Sequence, residues 1–156
     1  MPGDDKIISK GTGAGIIGMA LLGVVGVSIV LLRAWPMINV VETGHTPEYP
    51  DVQPHVYRAP VSSVFDAALH TIQRLPRWSL VSYSEAEGDI RAEARTRILR
   101  FVDDIRIRIA ERGQGTSVDI RSASRVGRGD FGQNARNIRA LLNGIDKQMG
   151  GGAAHE

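Results

Sequence analysis

The chain has 156 residues, 19 basic and 17 acidic side chains for a net charge of +2 with histidine neutral, and no cysteine. That length holds one soluble domain of ordinary size beside an apolar end, and the lack of thiols excludes disulfides, thiolate nucleophiles and cysteine metal sites together while fitting either side of a membrane. The charge is unevenly placed: 16 of the 19 basic residues lie between Asp51 and Lys147, against 12 acidic ones, so that stretch carries +4, and its basic residues are arginine except Lys147.

Residues 1–10 read as a polar tail ahead of a transmembrane anchor at 11–32. Gly11 to Leu32 is 22 residues without a charge, enough for a helix rising ~1.5 Å per residue to cross ~30 Å of hydrocarbon. A cleaved signal peptide has a shorter apolar run of ~7 to 15 residues and a small-x-small cleavage site, and "RAWPMINVVETG" offers no good one. Arg33 and Trp35 suit the interface at the far end of the span. Lys6 and Lys10 precede it, whereas Arg33 stands alone behind it until Arg58, a bias that keeps the N-terminus cytoplasmic. In a bacterium the expected location is then the inner membrane, single-pass, with the globular part in the periplasm. Gly11 with Gly15, and Ala14 with Gly18, form small-x-x-x-small pairs through which another helix can approach, although glycine is common in such spans.

Pro36, Pro47 and Pro50, with Gly44, make 33–50 an extended connector, and Pro54 and Pro60 continue the break. A globular domain is expected at 51–148 and a disordered tail, "GGGAAHE", within 149–156. A short extended piece, "VYRAP", leads to a helix with start signals at Pro60 and Ser62 or Ser63 and an apolar face of Val61, Val64, Phe65, Ala68, Leu69, Ile72 and Leu75. "WSLVSYS" reads as a strand, and the turn-rich "EAEGD" leads into a second. There Ile90, Ala92, Ala94, Thr96 and Ile98 alternate with Arg91, Glu93, Arg95 and Arg97; in the next strand Ile105, Ile107 and Ile109 alternate with Arg106 and Arg108. "ERGQGTS" is a hairpin turn, after which Val118 and Ile120 point inward. A last helix buries Ile138, Leu141, Leu142 and Ile145. The expected fold after the anchor is α+β: a four-stranded or five-stranded antiparallel sheet with two helices packed on one face and the arginine-rich face turned away.

Between the last strand and the last helix, Gly127, Gly129 and Gly132 stand in a G-x-G-x-x-G spacing. A dinucleotide fingerprint needs a parallel βαβ unit and an acidic residue ~20 positions on; here one helix and a glycine tail follow, so the glycines read as turn residues and Asp130 as an N-cap. The RGD at Arg128 to Asp130 reads as chance. Arg125, Arg128 and Arg136 lie close in sequence to that helix start, where backbone donors can hold an anionic headgroup or carboxylate, but a capping Asp130 competes for the same donors.

His45 and His55 fall in or near the connector and His155 in the tail, while His70 sits beside the apolar helix stripe as a solvated or packed residue. A metal site would need His55 and His70 plus carboxylates at spacings that form no motif, and no metal or cofactor is implied. Asp103 and Asp104, adjacent at a strand start, diverge to opposite faces; an inward Asp103 is expected to be salt-bridged to an arginine, or in the sharper reading to act as a general acid or base. Ser122 and Ser124 point inward, where small hydroxyls satisfy buried groups or, with Ala92 and Ala94, leave space or admit close helix packing. The arginines of the outer face lack interleaved aromatics for base stacking, so nucleic acid is not expected as a partner; pairing with Glu93, Asp104 and Asp119, or contact with anionic lipid headgroups, suits them better.

The stretch from "TPEYPDVQPHVYRAP" through "GDIRAEARTRILRFVDDIRIRI" to "SVDIRSASRVGRGDFGQNARNIRALL" resembles the domain of unknown function 1499 family, over roughly Thr46 to Asp146. The resemblance rests on "FVDD" and "SASRVGRGDFGQNARNIR", with Asp103, Asp104, Ser122, Ser124, Arg125, Gly127, Asp130, Gly132, Asn134 and Arg139 at motif positions. It implies a small domain of bacterial envelope proteins with no established activity. Candidate binding residues are Arg125, Arg128, Asp130, Asn134, Arg136, Arg139 and Asp103. With no catalytic constellation recognisable, the expected function is that of a non-enzymatic, membrane-anchored interaction module, an accessory or assembly subunit of a membrane protein complex. The alternative is a lipid-binding or small-hydrophobe-binding domain with a pocket between sheet and helices.

Overall fold

The structure, a computed structural model, describes residues 38–127, 129–150 and 153–154. The expected anchor, with Gly11, Ala14, Gly15 and Gly18, lies outside the described residues, as does Arg128. Among the described residues no helix is long and apolar enough to cross a membrane. The chain divides into two units, Met1–Trp35 and Pro36–Glu156, and the second is described here.

Its elements run β1 (Val40–Glu42), β2 (His55–Tyr57), α1 (Val61–Arg74), β3 (Trp78–Ser84), β4 (Asp89–Arg95), β5 (Val102–Arg112), β6 (Gly115–Ser124), α2 (Gln133–Gln148) and β7 (Ala153–Ala154). All pairings are antiparallel, in the order β3-β4-β5-β6-β2-β7, with β1 also on β6. The α+β class, the antiparallel sheet and both helices match the periodicity. The strand count does not: among the described residues the sheet has seven strands. The added ones are β1, in the stretch read as connector, and β7, in the stretch read as tail. Beyond β2 the free edge of β6 accepts β1, with Val40 opposite Ala123, and Val41 is wholly buried; three residues are too few for alternation to register.

The core forms where the alternation says it should. Ile90, Ile105, Ile107, Ile109, Val118 and Ile120 face inward and meet Val64, Phe65 and Ile72 of α1 and Ile138, Leu141 and Ile145 of α2, all at 2% exposure or less. Each such side chain contributes roughly 1.5–3 kcal/mol by leaving water. The helices approach closely: a Cβ on Gly144 of α2 would strike the Thr71 side chain of α1. On the outer face Arg91, Arg106 and Arg121 stand in register across β4, β5 and β6.

One strand ends early. The alternation predicts β4 through Ile98, but pairing stops at Arg95. Thr96 N donates to Phe101 O (2.9 Å) and Phe101 N to Thr96 Oγ1 (2.9 Å), closing a loop in which Ile98 is 87% and Leu99 66% exposed.

Candidate functional site

One end of the sheet gathers the β4–β5 loop, the β6–α2 loop and the start of β1. Asp103, the first inward residue of β5, is 1% exposed at its floor. Ser124 Oγ donates to its Oδ1 (2.7 Å) and Asn137 Nδ2 to its Oδ2 (2.9 Å). Among the described residues no arginine forms the expected salt bridge with Asp103; the elements facing it, β6 and α2, present a hydroxyl and an amide. The network continues upward. Ser122 Oγ donates to Asn134 Oδ1 (2.6 Å), and Asn134 Nδ2 donates to Asn39 O (2.9 Å) and Ser124 Oγ (3.1 Å). Thus Ser122 and Ser124 take α2 close against the sheet and tie it to the chain entering β1. Asp104 diverges to the outer face, as strand geometry requires, and is exposed.

Asp130 caps α2 from just outside the helix. Its carboxylate accepts from Gly132 N (2.9 Å) and Asn134 N (2.6 Å), so the early amide donors are occupied from within the chain. Gly132 (φ 75°) and Gly127 (φ 95°) sit in the left-handed region, the turn role that the three glycines suggest. The candidate arginines disperse. Arg125 turns to the outer face, where it donates to both Asp104 oxygens (3.0 and 2.6 Å) and to Glu93 (2.6 Å), and these bonds push its guanidinium above its ordinary range. Arg139 clamps Asp51 (2.8 and 2.9 Å) and lies 5.5 Å over the Tyr49 ring. Arg136 donates to Phe131 O (3.0 Å) and Gln133 Oε1 (3.1 Å), bracing the β6–α2 loop. Of the candidate binding residues, Asp103, Asp130 and Arg136 line the resulting cleft, Asn134 supports it through Ser122 and Ser124, and Arg125 and Arg139 do not line it.

That cleft encloses about 530 Å³. The β4–β5 loop contributes Ile98, Leu99 and Phe101 to its lining, and the β6–α2 loop Val126 and Phe131. All five are exposed, Phe131 by 61% and Val126 by 56%. The sequence marks this surface only faintly: Ile98 and Leu99 are consecutive apolar residues where alternation would send one to solvent. Three bulky residues with positive φ, Arg77 (67°), Arg100 (55°) and Phe131 (50°), lie at this end as well, a conformation that costs such side chains about 1 kcal/mol or more each.

Two charged clusters lie elsewhere. Asp89, buried beside β5, accepts from Arg106 Nε (2.8 Å) and Arg91 Nε (3.3 Å). Burial pushes its carboxyl up, but the two guanidiniums outweigh it and hold the group below its usual range. Tyr57 Oη donates to Asp146 Oδ1 (2.6 Å), and His55 Nδ1 lies 3.1 Å from the same oxygen. Burial, then the bond to Asp146, raises the Tyr57 phenol well above its ordinary range. This pairing of β2 with the end of α2 joins residues about ninety positions apart, which no local pattern reveals. His70 is exposed on α1. Among the described residues no cluster of three or more His, Asp and Glu could hold a metal ion.

A family model described as Protein of unknown function (DUF1499) matches residues 32–145. No curated protein matches the sequence. Among solved structures, the crystal structure of TTHA0849 from Thermus thermophilus is similar at a TM-score of 0.39 and 12% identity, over 70% of this chain and 96% of that one. Ara h 8.0201 is similar at 0.34 and 11%, over 72% and 95%. Both likenesses are too loose to bear on function.

Proposed function

The chain belongs to the DUF1499 family, whose model spans most of it, and we propose that it is a non-enzymatic interaction module carried on a membrane anchor, with its domain on the periplasmic side. It serves as an accessory or assembly subunit of a membrane complex, and the surface it works through is the apolar end of the sheet. The observation that carries this reading is the grouping of Ile98, Leu99, Phe101, Val126 and Phe131, all exposed, on two loops around one cleft. Single exposed apolar residues are ordinary on a protein surface; a contiguous set with strained backbone marks a place where something binds. Beneath it, Asp103 is engaged in joining β5, β6 and α2 through Ser124 and Asn137, a structural use of a buried carboxylate.

A second reading, a small hydrophobe or lipid chain held in the cleft, is favoured by its size: about 530 Å³ falls within the ~300–1,000 Å³ of small-molecule sites. In that case the ligand sits at the sheet's end, rather than between the sheet and both helices. Native mass spectrometry of the full-length protein, gently extracted from its own membrane in mild detergent, separates the two. Co-purifying subunits support the module, a reproducible lipid mass on a lone protomer supports the pocket, and a bare protomer contradicts both.

A further inference from the structure

We infer that the apolar end of the sheet rests on an anionic bilayer surface, with Ile98, Leu99 and Phe131 entering the headgroup boundary and Arg97 and Arg100 meeting lipid phosphates. The inference rests on the reading of this end as the interaction surface and names its partner.

Three observations converge on it. The first is exposure: Ile98 at 87%, Leu99 at 66% and Phe131 at 61% stand out from the loop tips, where a small ligand inside the cleft would leave much of them wet, whereas a bilayer covers tips. The second is charge. Beside the cleft a recess is lined by Arg77, Trp78, Arg95, Arg97 and Arg100. Arg97 and Arg100 are exposed, and neither has an ion pair among the described residues. Asp103 and Asp130 are buried beneath the surface on neutral donors, and Glu93 and Asp104 are paired with Arg125, so the exposed charge nearest the tips is that of Arg97 and Arg100. Apolar tips beside unpaired arginines and a half-buried tryptophan are the chemistry of an interfacial contact with anionic lipid.

The third is connectivity. The described chain begins at the same end: Asp130 N donates to Ile38 O (3.1 Å) and Asn39 Nδ2 to Gly127 O (3.2 Å). If the anchor ends at Leu32, residues 33–37 are all that separates it from Ile38. Fully extended, that tether reaches roughly 20 Å. An anchor ending at Leu32 would keep a bilayer within the length of that tether. Docking there would fix the height and orientation at which the rest of the domain meets a membrane complex.

The chain has no cysteine, so single-cysteine labelling is clean. Leu99→Cys and, in the turn at the opposite end of β5, Gln114→Cys each carry an environment-sensitive fluorophore in the full-length protein. The labelled proteins are placed in nanodiscs of phosphatidylglycerol with phosphatidylethanolamine, or of phosphatidylcholine, containing brominated acyl chains. The expected result is blue-shifted, quenched emission from position 99 in the anionic discs and neither change at 114. Arg97→Gln with Arg100→Asn in the same labelled protein is expected to lower the docked-to-free ratio roughly 30-fold. Circular dichroism checks that both labelled proteins remain folded. Aqueous, unquenched emission from 99 in the anionic discs overturns the inference. If position 99 is unquenched there yet shielded from a polar maleimide in native membranes, the occupant is a protein subunit or another ligand, and only the bilayer is lost. If it is unquenched and unshielded, the reading of this end as an interaction surface falls with it.

Discussion

Replacing Asp103 by Asn tests whether the floor of the cleft is held by charge. Asp103 is 1% exposed and accepts two bonds, from Ser124 Oγ at 2.7 Å and Asn137 Nδ2 at 2.9 Å. Hydrogen bonds to an ionised group contribute roughly 1.5–3 kcal/mol each, against about 0.5–1.5 for neutral pairs. Asn keeps the volume and one acceptor, which the fixed Asn137 amide claims. The new amide then faces Ser124 Oγ, whose proton must turn elsewhere while it still accepts from Asn134 Nδ2. Two bonds each losing about 1 kcal/mol of charge assistance give a loss of roughly 2 kcal/mol at pH 7. Asp103→Ala removes both bonds and leaves Asn137 Nδ2 only its 3.3 Å contact with Ser122, for a loss of roughly 3–5 kcal/mol. Denaturant unfolding of the full-length protein in mild detergent, followed by circular dichroism, measures both. Asn137→Ala, combined with Asp103→Asn, should fall short of additivity by about 1 kcal/mol because the two share a bond. An Asp103→Asn protein as stable as the parent would refute the reasoning, since the network would then not draw on the carboxylate.

Other outcomes follow from the same geometry. Gly88 has φ +64° and a Cβ there would strike the Ile109 carbonyl, so Gly88→Ala should lower the unfolding free energy by roughly 2–4 kcal/mol, measured by denaturant titration. Gly113 has φ +60° with nothing within 4 Å, and Gly113→Ala should cost only about 1 kcal/mol. Asp130→Ala removes two bonds from the start of α2 and should destabilise by about 1–2 kcal/mol, with Asp130→Asn recovering part of it. Because the Asp89 carboxyl is held below its ordinary value, its contribution is present above about pH 4, the unfolded value, and is lost as pH falls through the lower folded value. Unfolding midpoints measured from pH 6 downward should show that loss, and Arg106→Gln should flatten it.

The regular parts of this fold were legible because their physics is local. Inward apolar residues at every second position specify β4 (Ile90, Ala92, Ala94), β5 (Ile105, Ile107, Ile109) and β6 (Val118, Ile120), and Ile138, Leu141, Leu142 and Ile145 mark the buried stripe of α2. Asp130 could be read as a cap from its place before that stripe, and the opposite faces of Asp103 and Asp104 from the strand period. The end of β4 was not legible: Thr96 and Ile98 keep the alternation going, and only the bonds between Thr96 and Phe101 show that the chain has turned. The partners of Asp103 come from β6 and α2, and those that α2 brings to this network depend on how a helix packs across two strands. A trace of them was present, since Asn134 and Asn137 share the inward stripe with Ile138 and Leu141 and are buried with them. The apolar end escaped notice because its five residues come from two loops about thirty positions apart.

The central claim is that this end of the sheet is covered in the native membrane, and the accessibility of position 99 tests it most directly. Leu99→Cys and Gln114→Cys, each introduced into the full-length protein in its own membrane, are exposed to a polar maleimide with both membrane faces open to the reagent. The account predicts that the thiol at 99 reacts at least about tenfold more slowly than the one at 114, and that the two rates converge once the membrane is dissolved and the protein unfolded. Equal rates in the intact membrane would contradict it.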